Sequence, residues 1–502
     1  MKITIYDGGE TIGGNKIHLE DRRTGLFLDF GMNFRKYSEY FQEYLRERNS
    51  RGIHDLLSLD LIPKLRIYRP DLIPSDVNPM EFPEVRVDAV LLSHAHLDHC
   101  GNVGLLNGEI PLVASPFTLA ILKAIKDTSR STSGSEIVYF SPREAKEGEG
   151  RLLLSSKRYL GRKLIFTDEI SEELRLFLLD TPRREIEGLS LESIEETGLE
   201  IEAFEVDHSI YGATGYLVRG ETSLAYTGDL RMHGKNRKKT KEFIKGARES
   251  EVLIIEGTRA SREDYNESEE KVFRNCLEEV ENSRDLVIAD FSPRNFERLE
   301  TFLEIAWRTG RELVVTTKEA YLLQALELVD GKERIAEGLR IYHRLKSKRD
   351  SWEKLVLETW ADLLVDPIEI SKNQENYILC FSFYDLINLL DVKPSGGLYI
   401  YSSSEAFSEE QEFDFLRLHN WIEKLGLKLK GFELEFHSGK IRPRFVRGYH
   451  ASGHASKEDL RRIIEGIDPD VIIPVHTERP EWFEENFEGV LVLKNGESLE
   501  LG

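Results

Sequence analysis

Residues 93–101 read Ser-His-Ala-His-Leu-Asp-His-Cys-Gly and follow on from an apolar run, Val87–Ser93 (VDAVLLS). The run predicts a buried strand. Directly after it come four side chains that can bind a metal: His94, His96, Asp98 and His99. Imidazole nitrogen and carboxylate oxygen are the ligands that zinc takes where thiolate is absent, and so dense a set suits two cations better than one. The alternative is a His-rich surface loop, but such loops do not normally leave a buried strand and close at a glycine.

Further ligand-type side chains share this placement. His208 follows the predicted strand Ile201–Val206, Asp229 follows Ser223–Thr227, and His476 follows Asp470–Val475. A lone His or Asp at such a point is usually a cap or a satisfied core group. Several at matching strand ends favour one shared site, because a rigid sheet presents side chains from the ends of its strands to a common edge.

The rhythm of the sequence divides the chain. Short apolar strands separated by polar loops occupy the first part, including Lys2–Tyr6 and Leu26–Phe30 around the Gly-rich turn GGETIGG. From about residue 258, strands alternate with helices, which predicts a parallel, doubly wound sheet. In one of these helices Ser292-Pro293 reads as the N-cap and first position, and Gly310 ends it. After about residue 440 the first rhythm returns, so the α/β block is predicted to be an insertion.

Composition limits the partners and the compartment. The chain has 68 basic and 90 acidic residues, a net charge of −22. A nucleic-acid substrate therefore needs a local basic groove or a metal centre that attracts its phosphates. Three widely spaced cysteines indicate neither a disulfide framework nor a thiolate zinc site, and fit a reducing cytoplasm. No signal peptide and no apolar run of membrane-spanning length is recognised, so no membrane partner is expected.

Taken together, the motifs resemble a known family. Asp29 in LFLDFG, the HxHxDH run at 94–99, His208 in DHSIYGATGY and Asp229 in YTGDLR are similar to the successive motifs of the metallo-β-lactamase fold. Three later motifs resemble those of the β-CASP nucleases: Glu256 in LIIEGTR, His454 in SGHAS and His476 in IPVHTE. With IGGN near the start, the pattern is most like RNase J and its archaeal relatives.

The resemblance implies an architecture. The fold class is α/β: a metallo-β-lactamase αββα sandwich with an inserted β-CASP domain that contains a parallel, Rossmann-like sheet. The expected divisions are residues 1–257 for the first part of the sandwich, 258–440 for the β-CASP domain and 441–502 for the return to the sandwich. Segments 35–88 and 141–200 are expected to be insertions in the first part.

The resemblance also implies roles for the site residues. One zinc ion would be held by His94, His96 and His208, and a second by Asp98, His99 and His476, with Asp229 bridging the two. Asp29 would orient the ligand loop. Asp98, Glu256 and His454 would be catalytic, with Glu256 paired to His454. Ser452 and Gly453, together with His454, would bind a substrate phosphate.

The implied function is zinc-dependent hydrolysis of the phosphodiester backbone of RNA, single-stranded RNA above all, by 5′–3′ exonuclease or endonuclease action with a metal-bridging hydroxide as nucleophile. RNA is preferred because RNA-cleaving members of the family carry a histidine in the last motif, here His476, where DNA-repair members carry valine. Three alternatives stay open: a DNA nuclease, a hydrolase of small esters or thioesters, and a non-catalytic binding subunit. The sequence leaves the oligomeric state undecided, with a homodimer among the choices.

Overall fold

The structure is a computed structural model of the chain, and the residues that it describes are 1–21, 24–42, 44–129, 133–220, 222–262, 266–335, 338–403, 409–437 and 440–501. They form two compact units. The first comprises Met1–Met232, Asn236–Asp264 and His454–Gly502, and the second comprises His233–Lys235 and Tyr265–Gly453. The predicted domain boundaries at residues 258 and 440 stay predictions. The two compact units divide at residues 265 and 454.

Two sheets form the centre of the first unit. The larger has eight strands, in spatial order Ser190–Ser193, Lys163–Phe166, Leu112–Ala114, Ala89–Leu91, Gly25–Leu28, Lys16–Glu20, Lys2–Asp7 and Ser498–Glu500. The smaller has five, in the order Ile201–Glu205, Thr214–Val218, Leu224–Tyr226, Val252–Glu256 and Val471–Val475. The predicted strands are present, with ends shifted by at most two residues. The last chain segment reaches both sheets, so residues far apart in sequence complete one unit.

The two sheets pack face to face around one apolar core. Ile3, Leu28 and Leu91 from the larger sheet lie in the same buried cluster as Tyr226 and Ile254 from the smaller one. On its other face, the smaller sheet packs against helices. Its residues Leu253 and Ile255 share a second cluster with Phe243, Leu460 and Ile464. Burial on both faces explains why these strands read as nearly continuous apolar runs.

Along the chain, the helices and smaller strand pairs of the first unit mainly occupy the segments that connect these strands. The α-helices are Phe34–Ser38, His54–Ser58, Leu97–Cys100, Pro116–Thr128, Glu172–Leu179, Arg237–Gly246, Lys457–Ile467 and Glu481–Glu484. Two short antiparallel pairs join Arg143–Lys146 to Glu149–Ser155 and Tyr139–Phe140 to Leu160–Gly161. The 141–200 segment also supplies the edge strand Ser190–Ser193 of the larger sheet and its neighbour Lys163–Phe166. It is therefore integrated into the sandwich rather than only appended to it.

The second unit contains a parallel sheet, as the alternation of strands and helices predicts. Its seven strands lie in the order Leu364–Val365, Leu339–Tyr342, Glu312–Thr316, Tyr377–Cys380, Val287–Asp290, Gly397–Tyr401 and Leu427–Lys430, and every pairing between them is parallel. An antiparallel pair joins Phe432–His437 to Lys440–Phe445. The α-helices are Glu269–Glu281, Phe296–Thr309, Thr317–Asp330, Ser351–Thr359, Pro367–Lys372, Leu389–Val392 and Glu409–Lys424.

One helix start differs from the prediction. The predicted cap, Ser292-Pro293, is wrong: the helix Phe296–Thr309 is capped by Asn295, whose side chain accepts a hydrogen bond from the backbone N–H of Arg298. Asparagine is as good a cap as serine, and here it stands at the position from which its oxygen reaches the N3 amide. The predicted end is confirmed, since Gly310 closes the helix with φ 68°.

The fold is therefore a mixed α/β fold in which both units are built on sheets containing parallel strands. Among the described residues, no helix combines the length and hydropathy that a bilayer crossing requires.

Candidate metal centre

Strand ends of the first unit supply the ligand-type side chains. The run at 94–99 follows strand Ala89–Leu91, His208 follows Ile201–Glu205, Asp229 follows Leu224–Tyr226, and His476 directly follows Val471–Val475. The seven candidate ligands form two groups, within each of which one nitrogen or oxygen atom per residue lies within 4.8 Å of the others. The first group is His94, His96 and His208, and the second is Asp98, His99, Asp229 and His476.

The first group is a cluster of three imidazoles. His94 Nε2 lies 2.9 Å from His96 Nδ1, and His208 Nε2 lies 3.3 Å from the same atom. Two nitrogens that bind one zinc at about 2.0–2.1 Å in tetrahedral geometry are about 3.3–3.4 Å apart. The observed spacing is close to this value, so the three rings fit a single cation.

The second group is organised by Asp229. Its Oδ2 lies 3.0 Å from His99 Nε2 and 3.7 Å from His94 Nε2, and its Oδ1 lies 3.8 Å from His476 Nδ1. The carboxylate thus faces ligands of both groups. Two of the atoms in this group, His476 Nε2 and Asp229 Oδ1, are buried and have no hydrogen-bond partner among the described residues. Buried polar atoms without partners are costly, and a cation would satisfy them.

Asp29 fixes the ring of His99 from behind. Its Oδ2 lies 2.7 Å from His99 Nδ1 and accepts hydrogen bonds from the hydroxyls of Ser93 and Tyr226. Its Oδ1 accepts the backbone N–H of Ser93. With Nδ1 engaged in this way, Nε2 of His99 faces the second group. Asp29 and His476 both hold φ near +55°, at 58° and 54°, a strained backbone conformation that tends to occur at functional sites.

Charge is tightly coupled across the cluster. Burial, together with the neighbouring His99, His96 and His208, holds the pKa of His94 well below its usual range. Burial alone would also lower the pKa of His99, but the carboxylates of Asp229, Asp29 and Asp98 outweigh it and raise that pKa. In the same way, burial would raise the pKa of Asp229, and the surrounding histidines instead lower it well below its usual range. The acidic side of the cluster therefore favours a positive charge at its centre.

Glu256 and His454 form a pair beside the two groups. The Nδ1 atom of His454 lies 3.2 Å from Glu256 Oε2, 3.1 Å from the hydroxyl of Thr258 and 3.8 Å from Asp229 Oδ2. Glu256 is buried and also accepts hydrogen bonds from the backbone N–H groups of Leu230 and Ala455. Burial would lower the pKa of His454, but Glu256 and Asp229 outweigh it and raise that pKa to about 9.

Known proteins are similar to this chain over most of its length. A family model described as the metallo-beta-lactamase superfamily matches residues 79–288, and one described as the Zn-dependent metallo-hydrolase RNA specificity domain matches residues 438–488. Proteins named Ribonuclease J are 24% identical in Pyrococcus abyssi and 22% in Methanocaldococcus jannaschii; each alignment covers 95% of this chain, and they cover 90% and 91% of the relatives. The chain contains a metallo-β-lactamase superfamily domain. Over most of its length it is RNase J-like, as its motifs indicate.

A solved structure supports the fold. A crystal structure described as a protein of unknown function from Enterococcus faecalis V583 aligns with a TM-score of 0.67 and 24% identity, over 100% of this chain and 99% of the other. At that identity the likeness establishes the α/β fold and nothing about chemistry.

The sequence-predicted residues of this metallo-β-lactamase fold thus fall into two sets. The seven candidate ligands, with Asp29, Glu256 and His454, come together in the first unit. Ser452 and Gly453 belong to the second unit, where the carbonyl of Ser452 lies 3.0 Å from His233 Nε2. Their role toward a phosphate stays a prediction.

Sequence reasoning missed the residues that hold the ligands. Ser93 and Tyr226 both bind Asp29, yet neither was given a role, although each stands in a motif that carries a candidate ligand. Gly31 also went unnoticed, although a Cβ there would lie 1.7 Å from the carbonyl oxygen of Asp98. A signal was present in each case, since Ser93 and Tyr226 stand at or just before the strand ends that carry ligands, and Gly31 follows Asp29 by two positions.

Proposed function

We propose that this protein is a zinc-dependent ribonuclease that hydrolyses the phosphodiester backbone of single-stranded RNA. One observation carries the proposal: seven ligand-type side chains from four separate segments converge into two adjoining groups, and Asp229 faces ligands of both. The family model at residues 438–488 refers to RNA specificity, and the relatives cited above are named as ribonucleases, which favours RNA as the substrate.

The donor set fits two zinc ions. His94, His96 and His208 would hold one ion, and Asp98, His99 and His476 the other, with Asp229 shared between them. All seven offer nitrogen or oxygen atoms, which suit zinc where thiolate is absent. When bound, the ions supply Lewis-acid polarisation of the scissile phosphoryl group and a water of lowered pKa for in-line attack. They also concentrate positive charge in a chain whose net charge is −22.

The remaining residues orient a candidate ligand, protonate the leaving oxygen or bind the substrate phosphate. Asp29 holds His99 in one orientation, so that the ligand does not rotate when the substrate binds. Glu256 holds His454 at Nδ1. We assign the other ring nitrogen, Nε2, to protonation of the leaving oxygen or to stabilisation of the charge that develops on the phosphoryl group. Asp98 is partly exposed, which suits a ligand at the substrate side of the site. Ser452 and Gly453 directly precede His454 and are proposed to donate hydrogen bonds to a substrate phosphate.

The test compares substrates and metal content. Purified protein should contain about two zinc ions per chain and should cleave a single-stranded RNA in preference to DNA of the same sequence, a thioester or a lactone. Faster turnover of DNA would favour the DNA-nuclease alternative, and faster turnover of a thioester the small-molecule alternative. Zinc content near zero with no turnover would support a non-catalytic subunit.

A second measurement defines the mode of action. RNA carrying a 5′-monophosphate or a 5′-triphosphate, labelled at either end, separates 5′–3′ exonuclease action from internal cleavage by the sizes of its products. We propose a cytoplasmic site of action, in line with three buried cysteines that form no disulfide. Sedimentation of the zinc-loaded protein distinguishes a monomer from the proposed homodimer.

A further inference from the structure

Exposed aromatic side chains are concentrated in one short segment of the first unit. Phe34, Tyr40 and Tyr44 are 47%, 45% and 86% exposed. Among the side chains whose exposure the structure describes, the other exposed aromatic residues are Trp307 and Tyr384, which belong to the second unit. Solvent-facing aromatic rings grouped in this way are typical of binding surfaces. Phe34, Tyr40 and Tyr44 are called the aromatic rim below.

The segment that carries the aromatic rim is itself anchored. Phe41 is buried, its ring centroid lies 4.8 Å from that of Tyr37, and its backbone N–H donates to the Tyr37 carbonyl at 3.0 Å. The hydroxyl of Tyr37 in turn hydrogen-bonds Glu47. Because the buried ring of Phe41 packs against Tyr37 and holds the segment in place, the exposure of the other three rings does not result from loose packing.

Direct contacts connect this segment to the candidate ligands. The side chains of Asn33 and Lys36 both bind Asp7 Oδ1 at 3.0 Å. Asp7 directly precedes Gly8, whose carbonyl accepts the backbone N–H of His476 at 2.7 Å. The backbone N–H of Met32 donates to the carbonyl of Leu97, next to Asp98. The aromatic rim therefore begins within a few residues of groups that hold two candidate metal ligands.

Charge in the segment favours an anionic partner. Arg35 stands beside Phe34, is 62% exposed, and pairs with Glu478, two residues from His476, at 3.1 Å. Arg46 is exposed in the same stretch of a chain that is acidic as a whole, whereas Lys36 and Arg48 pair with Asp7 and Asp55. Exposed aromatic rings interleaved with cationic side chains match the chemistry of single-stranded nucleic acid, in which every base has a face for stacking and every linkage a phosphate.

We propose that the aromatic rim stacks on unpaired bases of the RNA strand next to the metal centre, with Arg35 contacting the adjoining phosphate. This inference rests on the proposed function and specifies its substrate. Bases already stacked in a duplex cannot occupy the rim, so the surface selects single strands. It is tolerant of sequence, since each base offers a π face.

The test replaces the rings and measures RNA cleavage. In the triple variant Phe34→Ala/Tyr40→Ala/Tyr44→Ala, we expect KM for a single-stranded RNA to rise by about 5- to 150-fold for each stacked base that is lost. Zinc content and turnover of a chromogenic phosphodiester that lacks bases should stay at the wild-type level. The variant Phe34→Tyr/Tyr40→Phe/Tyr44→Phe keeps the rings and should keep the wild-type KM.

Two controls separate stacking from loss of exposed apolar surface. Leu154 and Leu176 are exposed apolar residues of the same unit, and the double variant Leu154→Ala/Leu176→Ala should leave KM unchanged. An RNA with abasic positions should bind the wild type as weakly as the intact RNA binds the alanine triple variant. Equal affinity of the wild type for the intact and the abasic RNA would overturn the inference.

The outcomes also separate this inference from the proposed function. If the wild type cleaves RNA and the alanine triple variant cleaves it with the same KM, the aromatic rim does not bind RNA, although the protein is a ribonuclease. If the triple variant keeps its KM but loses a dimeric state seen in the wild type, the rim is instead an interface with a second copy. If the wild type cleaves no RNA, the proposed function and this inference both fail.

Discussion

The Nδ1 atom of His99 and the carboxylate Oδ2 of Asp29 are 2.7 Å apart in the interior of the first unit. Both side chains are fully buried. The same carboxylate oxygen also accepts the hydroxyls of Ser93 and Tyr226, so three donors converge on it. His99 is thereby fixed in one orientation before a cation or a substrate binds. The second group of candidate ligands therefore depends on an acid, Asp29, that is not itself one of the candidate ligands.

Replacement of Asp29 by asparagine tests this dependence. Asparagine tolerates the left-handed backbone at this position, φ 58°, so the chain should fold. Loss of the negative charge weakens the hold on His99, and we expect zinc affinity or turnover to fall by about 10- to 100-fold. Competition with a fluorescent zinc chelator measures the affinity. The control Tyr226→Phe removes one donor to Asp29 and should have a smaller effect; an Asp29→Asn enzyme with wild-type zinc affinity and turnover would show that His99 needs no such support.

Ligand removal should abolish hydrolysis without unfolding the chain. His96 and Asp98 lie in different groups and are both partly exposed, so His96→Ala and Asp98→Ala leave the apolar core intact. We expect the turnover of each variant to fall at least about 100-fold. This is more than the loss expected when a residue that only orients a metal ligand is replaced. Circular dichroism checks the fold and mass spectrometry the zinc content. A folded variant with wild-type turnover would remove that residue from the ligand set.

Much of this site was predictable because its signals are local. A buried strand that ends in closely spaced ligand-type residues is visible in nine consecutive letters, and the same signal recurs at His208, Asp229 and His476. The parallel sheet of the second unit was predictable for a similar reason. Its strands and helices alternate at regular spacing, and parallel neighbours need such crossovers.

Long-range pairing was not predictable from the sequence. The contact between Tyr226 and Asp29 joins positions 197 residues apart, and nothing in either motif specifies it. The edge strand Ser498–Glu500 likewise pairs with Lys2–Asp7 from the opposite end of the chain. The predicted N-cap of the helix Phe296–Thr309 was wrong for a different reason. Ser292 and Asn295 are both good caps, and only the backbone geometry of the loop selects between them.

His454 should matter for turnover rather than for metal content. Its Nδ1 is paired with Glu256, and the same atom lies 3.8 Å from Asp229 Oδ2. We expect His454→Ala to keep its zinc and to lose about 100- to 10,000-fold in turnover, the range for a residue that assists proton transfer. Glu256→Gln keeps the size of the partner and should reduce turnover less. Zinc loss in His454→Ala would mean that the ring is a metal ligand. One nitrogen or oxygen atom from each of Asp229, Glu256 and His454 lies within 4.8 Å of the others, so these residues could also hold a cation.

The second unit should lose stability as pH rises, because of one buried acid. Asp290 ends the strand Val287–Asp290, is 4% exposed, and accepts a hydrogen bond from the Tyr399 hydroxyl at 2.5 Å. Burial raises the pKa of Asp290 from 3.8 to about 7, although the Tyr399 hydroxyl opposes the shift. A carboxyl whose pKa is raised by folding contributes fully to stability below its unfolded pKa, and the contribution is lost as pH rises through the folded value.

The substitution Asp290→Asn removes this titration while keeping an oxygen that can accept the Tyr399 hydroxyl. The shift corresponds to a destabilisation of up to about 4 kcal/mol above pH 7. We therefore expect the free energy of unfolding of the variant, relative to wild type, to increase by roughly 2 to 3 kcal/mol between pH 5 and pH 8. Urea unfolding followed by tryptophan fluorescence reports mainly on this unit, which contains Trp307, Trp352, Trp360 and Trp421 of the chain's five tryptophans. The exposed Asp285→Asn substitution controls for the loss of one negative charge, and a variant-to-wild-type difference that stays constant from pH 5 to pH 8 would show that Asp290 is ionised throughout.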